Sequence, residues 1–163
     1  MPKLEIPPGI YIGVDPGASG GLAAIAVDGL DVVPMPLTEA DIWAWFWWWQ
    51  DHQGENIFAV IEQVSGYIGE GHPGSAMFKF GMSYGGLRMA LTAAQIPFES
   101  ATPQNWQKSL GIGKKGKTET RTSFKNRLKA KAQQLFPNLK VTLATSDALL
   151  LAEYCRRKRT GSL

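Results

Sequence analysis

The hydrophobic and polar positions along the chain fall into blocks of two different periods. Residues 10–15 (Ile-Tyr-Ile-Gly-Val-Asp) form an apolar, β-branched run closed by one carboxylate. A glycine-rich turn and a second apolar run at 22–27 follow, so the pattern predicts a β-hairpin. A third short strand is expected over 30–34, completing a meander. The period then lengthens. Leu37-Thr38-Glu39-Ala40-Asp41 reads as a helix start, with Thr38 as N-cap and Asp41 in the capping-box position, and the helix runs to about His52. Residues 56–63 (Asn-Ile-Phe-Ala-Val-Ile-Glu-Gln) return to a central-strand run that ends in a second carboxylate, Glu62. Beyond a glycine-rich loop at 65–75, the pattern predicts a long helix over 76–94, a fifth strand over 96–100 and a basic helix over 117–135. A last helix begins at Thr145 or Ser146 with Asp147 in its first turn. The order β-β-β-α-β-α-β-α-α predicts an α/β fold, a five-stranded mixed sheet flanked by helices.

The first helix carries Trp43, Trp45, Trp47, Trp48 and Trp49. Tryptophans this dense favour packing on a sheet or a partner chain over base stacking. In the second helix Gly81, Gly85 and Gly86 each cost about 1 kcal/mol of helix propensity, which predicts close approach of another backbone, such as a second copy of this helix. Tyr67, Phe78, Phe80 and Tyr84 are candidates to stack on bases or wedge between them, with core packing as the competing reading. His72 reads as a loop-surface residue rather than a metal ligand.

Composition narrows the class. At 163 residues, 44% hydrophobic and 19% charged, the chain is ordinary globular material, expected to form one domain over 1–163. No apolar run reaches the roughly 18 residues that span a bilayer, and the polar start is no signal peptide, so a soluble, intracellular protein with no membrane contact is expected. The single Cys155 excludes an internal disulfide and reads as a helix-packing residue. The net charge of +3 is unevenly spread: nine Lys or Arg lie between Lys108 and Lys131 against Glu119 alone. Such segregation attracts a polyanion. Leu110-Gly111-Ile112-Gly113-Lys114-Lys115-Gly116-Lys117-Thr118 lacks the spacing of a nucleotide-binding phosphate loop, so no nucleotide cofactor is expected. Its lysines suit DNA phosphates, and Lys108, Lys114, Lys115, Lys117, Arg121 and Lys125 are the candidate contacts.

Asp15 and Glu62 each end an apolar strand. If the two strands are parallel neighbours, both carboxylates emerge at one sheet edge. An apolar helix face of Ala148, Leu151, Ala152 and Cys155 would dock the last helix on the sheet and bring Asp147 to the same place. Three carboxylates on rigid elements are ligands for hard divalent cations, Mg²⁺ or Mn²⁺. Beside a DNA-binding surface, such ions support in-line hydrolysis of a phosphodiester.

These motifs, in this order, resemble the RNase H-like superfamily, and more narrowly the RuvC-type Holliday junction resolvases, with their phage and organellar relatives. Gly13-Val14-Asp15-Pro16-Gly17 is similar to the family's opening motif, Val60-Ile61-Glu62-Gln63 to its second acid motif, and Ser146-Asp147-Ala148-Leu149-Leu150 to its last. Gly111-Ile112-Gly113 followed by Lys117 resembles its loop, whose lysine lies near the scissile phosphate. The resemblance implies a homodimeric, Mg²⁺-dependent endonuclease resolving four-way junctions by paired incisions, with Asp15, Glu62 and Asp147 as metal ligands and Lys117 as a fourth catalytic residue. It also implies the cytoplasm of a prokaryotic or phage-infected cell, at the nucleoid, with an organelle as the alternative. One position departs from the family. Its fourth ligand would fall at Ala144 or Leu151, neither of which can ligate, and Glu153 lies on another helical face. Either fewer protein ligands hold the ions, or the hydroxyl of Ser146 or Thr145, or water, substitutes. A branched-DNA-binding module without activity is the alternative function. Sugar kinases and actin-like ATPases share the opening motif but need two such domains.

Overall fold

A computed structural model describes residues 9–53, 56–65, 71 and 73–163. Five strands alternate with five helices: β1 (Ile10–Asp15), β2 (Gly21–Ala26), β3 (Gly29–Pro34), α1 (Glu39–Gln53), β4 (Ile57–Glu62), α2 (Gly74–Ala93), β5 (Phe98–Ala101), α3 (Pro103–Ser109), α4 (Arg121–Leu135) and α5 (Ser146–Thr160). The sheet order is β3-β2-β1-β4-β5, antiparallel through the β1–β2–β3 meander and parallel from β1 to β4 to β5. The mixed five-stranded sheet agrees with the hydrophobic pattern.

Alternation along the strands divides the core into two layers. Ile10, Ile12 and Val14 of β1 and Ile57, Ala59 and Ile61 of β4 face α1 and α2, where they meet Phe46, Trp49, Leu87 and Leu91. Tyr11 and Val60 face the other way, toward Trp106 of α3, Leu128 and Ala132 of α4, and the apolar residues of α5. The sheet is therefore sandwiched between α1–α2 and α3–α4–α5. At Gly13 the helix comes closest. A Cβ there would stand 2.1 Å from the Ala148 carbonyl oxygen and 2.3 Å from the Ala152 nitrogen, so only glycine lets α5 seat on β1.

Four local features differ from the sequence expectation or refine it. The helix α3 was not foreseen; Thr102 caps it by accepting from the Asn105 N–H at 3.3 Å, and Pro103 fits its first turn. The basic helix starts at Arg121 instead of 117, because Thr120 is its cap and residues 113–119 are held as a loop. Thr38 does cap α1, accepting from the Asp41 N–H at 3.1 Å, but its hydroxyl donates to the Asp41 carboxylate at 2.6 Å. Finally, α5 is buried all round from Ser146 to Cys155 instead of on one face, since α3 and α4 cover its outer side. Cys155 is a packing residue: burial first, then the Glu99 charge, push its thiol up to about 12.

The tryptophan helix divides. Phe46 and Trp49 are core, Trp45 donates its indole N–H to Asp31 Oδ2 at 2.9 Å, and Trp43, Trp47 and Trp48 remain 42–50% exposed. No helix among the described residues is long and apolar enough to cross a membrane.

Candidate active site

The carboxylates converge because of strand register. Val14 pairs with Ile61 across the parallel β1–β4 ladder, so Asp15 and Glu62, one residue further on, lie side by side at the carboxyl ends of the two central strands. Asp15 follows Gly13 by two residues and so shares the face on which α5 lies. Ala148, which touches that glycine position, is preceded by Asp147 at the first turn of α5. Asp147 is buried, and Asp15 and Glu62 are half-buried.

Proximity shows in the proton affinities. Burial, then the charges of Asp147 and Glu62, raise the Asp15 carboxyl well above the ordinary range, with Lys125 opposing. Burial also raises Glu62, with Asp147 adding to the effect and a hydrogen bond from Trp106 and the Lys125 charge working against it. That bond, Trp106 Nε1 to Glu62 Oε2 at 2.8 Å, comes from a wholly buried indole and fixes the Glu62 carboxylate in orientation. No local signal in the sequence marks it, because 44 residues separate Trp106 from Glu62.

Lys125 enters the cluster from α4 and forms an ion pair and hydrogen bond with Asp147 Oδ2. Burial of its ammonium works against the charged form, but Asp147, Asp15 and Glu62 together outweigh this and raise its pKa. Sequence analysis set Lys125 among the DNA-phosphate contacts and gave the catalytic part to Lys117. Lys117 stands exposed in the turn before α4, and Lys125 is the residue that meets the acids. Of the hydroxyls considered as substitutes for a fourth ligand, Ser146 Oγ donates to Asp147 Oδ1 at 3.2 Å, whereas Thr145 Oγ1 accepts from the Thr142 N–H at 3.1 Å. Asp147 is engaged by both Lys125 and Ser146, and among the described residues no group of three or more acid, histidine or cysteine side chains is placed to hold a metal ion. Burial and like charge raise Asp15 and Glu62, and a cation placed among these acids would relieve that repulsion.

Lys108 of α3, Arg121 of α4, and Lys114, Lys115 and Lys117 of the loop between them are exposed. The loop bearing Lys114, Lys115 and Lys117 is stapled. Arg127 donates to the carbonyls of Gly113 and Lys114, each at 2.9 Å, and pairs with Glu119, whose Oε2 accepts from the Gly116 N–H at 2.9 Å. The one acid of the basic stretch thus has a structural role. The aromatic candidates scatter. Phe78 is exposed on α2, Phe80 lies half-buried against Gly17 in the β1–β2 turn, and Tyr84 packs on the α1–α2 core. Tyr67 and His72 lie outside the described residues. A cavity of about 990 Å³ opens between the start of α1 and α2, on the face of the sheet away from the acids.

The architecture defines the class: an RNase H-like fold. Thermus thermophilus RuvC shares it, with a TM-score of 0.63 at 18% identity over 94% of this chain and 97% of that one. T. thermophilus RuvC in complex with a Holliday junction substrate matches with the same TM-score and coverage at 17% identity. No protein-family model and no curated protein matches the chain.

Proposed function

We propose that the chain is a divalent-metal-dependent endonuclease, one catalytic domain over its 163 residues, that resolves four-way DNA junctions as a homodimer. The observation that carries this is the convergence of Asp15, Glu62 and Asp147 beside a basic layer, in a fold shared with a protein solved on a Holliday junction. Asp15, Glu62 and Asp147 would hold Mg²⁺, with Mn²⁺ as substitute. Divalent ions held there would supply activation of water and stabilisation of the leaving 3′ oxygen. Trp106 keeps the Glu62 carboxylate aimed, and the stapled loop presents Lys114, Lys115 and Lys117 to the backbone, with Lys117 at the scissile phosphate.

The dimer reading is supported by α2. Phe78, Met82 and Met89 are 68%, 55% and 61% exposed on it, and a Cβ at Gly81 or Gly85 would meet nothing within 4 Å among the described residues. A helix apolar on both sides needs a second cover. A two-fold pair presents two sites to two like strands.

The test is Mg²⁺-dependent cleavage of a synthetic four-way junction compared with linear duplex. The wild type should cut the junction in paired fashion, and Asp15→Asn should bind it with unchanged affinity and not cut. The ion pair of Lys125 with Asp147 favours one rival, a junction-binding module without activity. Tight junction binding by the wild type with no cleavage in Mg²⁺ or Mn²⁺ would establish that rival instead.

A further inference from the structure

The aromatic residues of α1 have two fates. Phe46 and Trp49 are sealed in the core, whereas Trp43, Trp47 and Trp48 lie on the outward side, 42%, 44% and 50% exposed. Indoles are large apolar groups, and three of them left in water within six residues mark a surface that another molecule covers. Trp43 and Trp47 stack on each other, with ring centroids 5.6 Å apart and planes 15° apart, so they form one ridge.

The surroundings of this ridge set the charge of what covers it. Glu39, Trp43, Trp47 and Asp51 recur every four residues and all are exposed, so a carboxylate stands one helical turn, about 5.4 Å along the axis, beyond each end of the pair. Asp41 is exposed in the same first turn as Glu39. No Lys or Arg lies between Lys3 and Lys79, and ten of the chain's fourteen Asp and Glu fall in that interval. The negative sign of α1 repels a DNA backbone and an anionic lipid surface alike. It also disfavours a second copy laid α1 against α1, because a two-fold contact brings two acidic stripes together. A cation satisfies both parts of the surface. An indole face attracts a guanidinium or ammonium through its quadrupole, and a carboxylate one turn away pairs with the same group.

We propose that α1 is a docking surface for a basic, amphipathic segment of another protein. Arg or Lys side chains of that segment lie over Trp43 and Trp47 and pair with Glu39 and Asp51, and its apolar side chains cover the rest of the indoles. The α3–α4–α5 layer is across the sheet, so this docking leaves it open and is independent of the nuclease reading.

The probe is a synthetic twelve-residue peptide alternating arginine and leucine, titrated into the full-length, ¹⁵N-labelled protein while the indole N–H resonances are followed. Two companion peptides carry glutamate for arginine, or serine for leucine. The arginine–leucine peptide should shift Trp43 and Trp47, leave the buried Trp106 unmoved, bind at least about tenfold more tightly than either companion, and weaken as salt is raised. The double variant Trp43→Ala, Trp47→Ala should lose at least about tenfold in affinity for it. Asp51→Lys keeps the indoles and places a favourable charge in the last turn of α1, and should lose about fivefold. Circular dichroism and light-scattering chromatography should show both variants folded and in the wild-type assembly state. If the double variant does not fold, the wild type and Asp51→Lys decide the matter. Equal binding of either companion, no shift at Trp43 and Trp47, or undiminished affinity in a folded variant would overturn the proposal. A changed assembly state in the folded double variant would overturn it too, and would give this face to a second copy.

Discussion

Asp15 is held where an ionised carboxylate is disfavoured, by burial and by two neighbours of like charge. The folded chain therefore holds this proton more tightly than the unfolded one. Stability from this group is therefore present below the unfolded value of about 4 and is lost as pH rises through the raised folded value. Asp15→Asn removes that loss. In the absence of divalent cation, its melting temperature should exceed that of the wild type by about 2–4 °C at neutral pH, and the gap should widen as pH rises above about 4. Differential scanning fluorimetry across that range measures it. Added Mn²⁺ should raise the wild type and not the variant, because only the wild type binds the ion tightly. Trp106 acts on the second acid. In Trp106→Phe the Glu62 carboxylate loses a donor from the protein interior, a change of about 1–3 kcal/mol for such a group. The proton affinity of Glu62 should climb further, so the acidic limb of the pH–rate profile should move to higher pH and cleavage should slow about tenfold. Glu62 was legible in the sequence as a strand-end acid. Its partner was not, because 44 residues separate them and only folding joins them.

At the scale of elements, the strands were legible because each is a short apolar run between turn residues, and α5 because its first turn and its apolar residues coincide. The start of α4 was not. Lysine, threonine and arginine between 114 and 121 carry adequate helix propensity, but Arg127 reaches back to two carbonyls and to Glu119 and holds this stretch as a loop. A tertiary contact overrides a local preference here. Arg127→Ala should release the loop while leaving the buried side of α4, Leu128 and Ala132, untouched. Limited trypsin digestion should then cut at Lys114, Lys115 or Lys117 sooner than in the wild type. Junction affinity should drop about fivefold with the circular dichroism spectrum unchanged, because ordering the lysines now costs entropy at binding.

For the whole molecule, the layer arrangement separates two surfaces. The acids and the basic loop occupy the α3–α4–α5 side, whereas the exposed apolar residues of α1 and α2 and the cavity between them occupy the other. The proposed chemistry and the proposed self-association can therefore be disturbed independently. The double variant Met82→Glu, Met89→Glu places charges on the exposed side of α2 and should elute as a monomer in light-scattering chromatography. It should retain Mn²⁺ binding and single nicks, and lose the pairing of incisions on a four-way junction. A likeness to T. thermophilus RuvC at 18% identity fits this picture, since apolar patterning and a few tight contacts such as Gly13 against α5 preserve a fold through many substitutions.

The sequence by itself determined the alternation of strands and helices, the sheet's core positions and the three acids at element ends, because these follow from local periodicity and from the cost of burying a carboxylate. Tertiary structure alone decided which groups meet those acids. Trp106 and Lys125 carry no local mark of their task, and the register of β1 on β4 and the packing of α4 on α5 bring an indole and an ammonium to carboxylates far away in the chain.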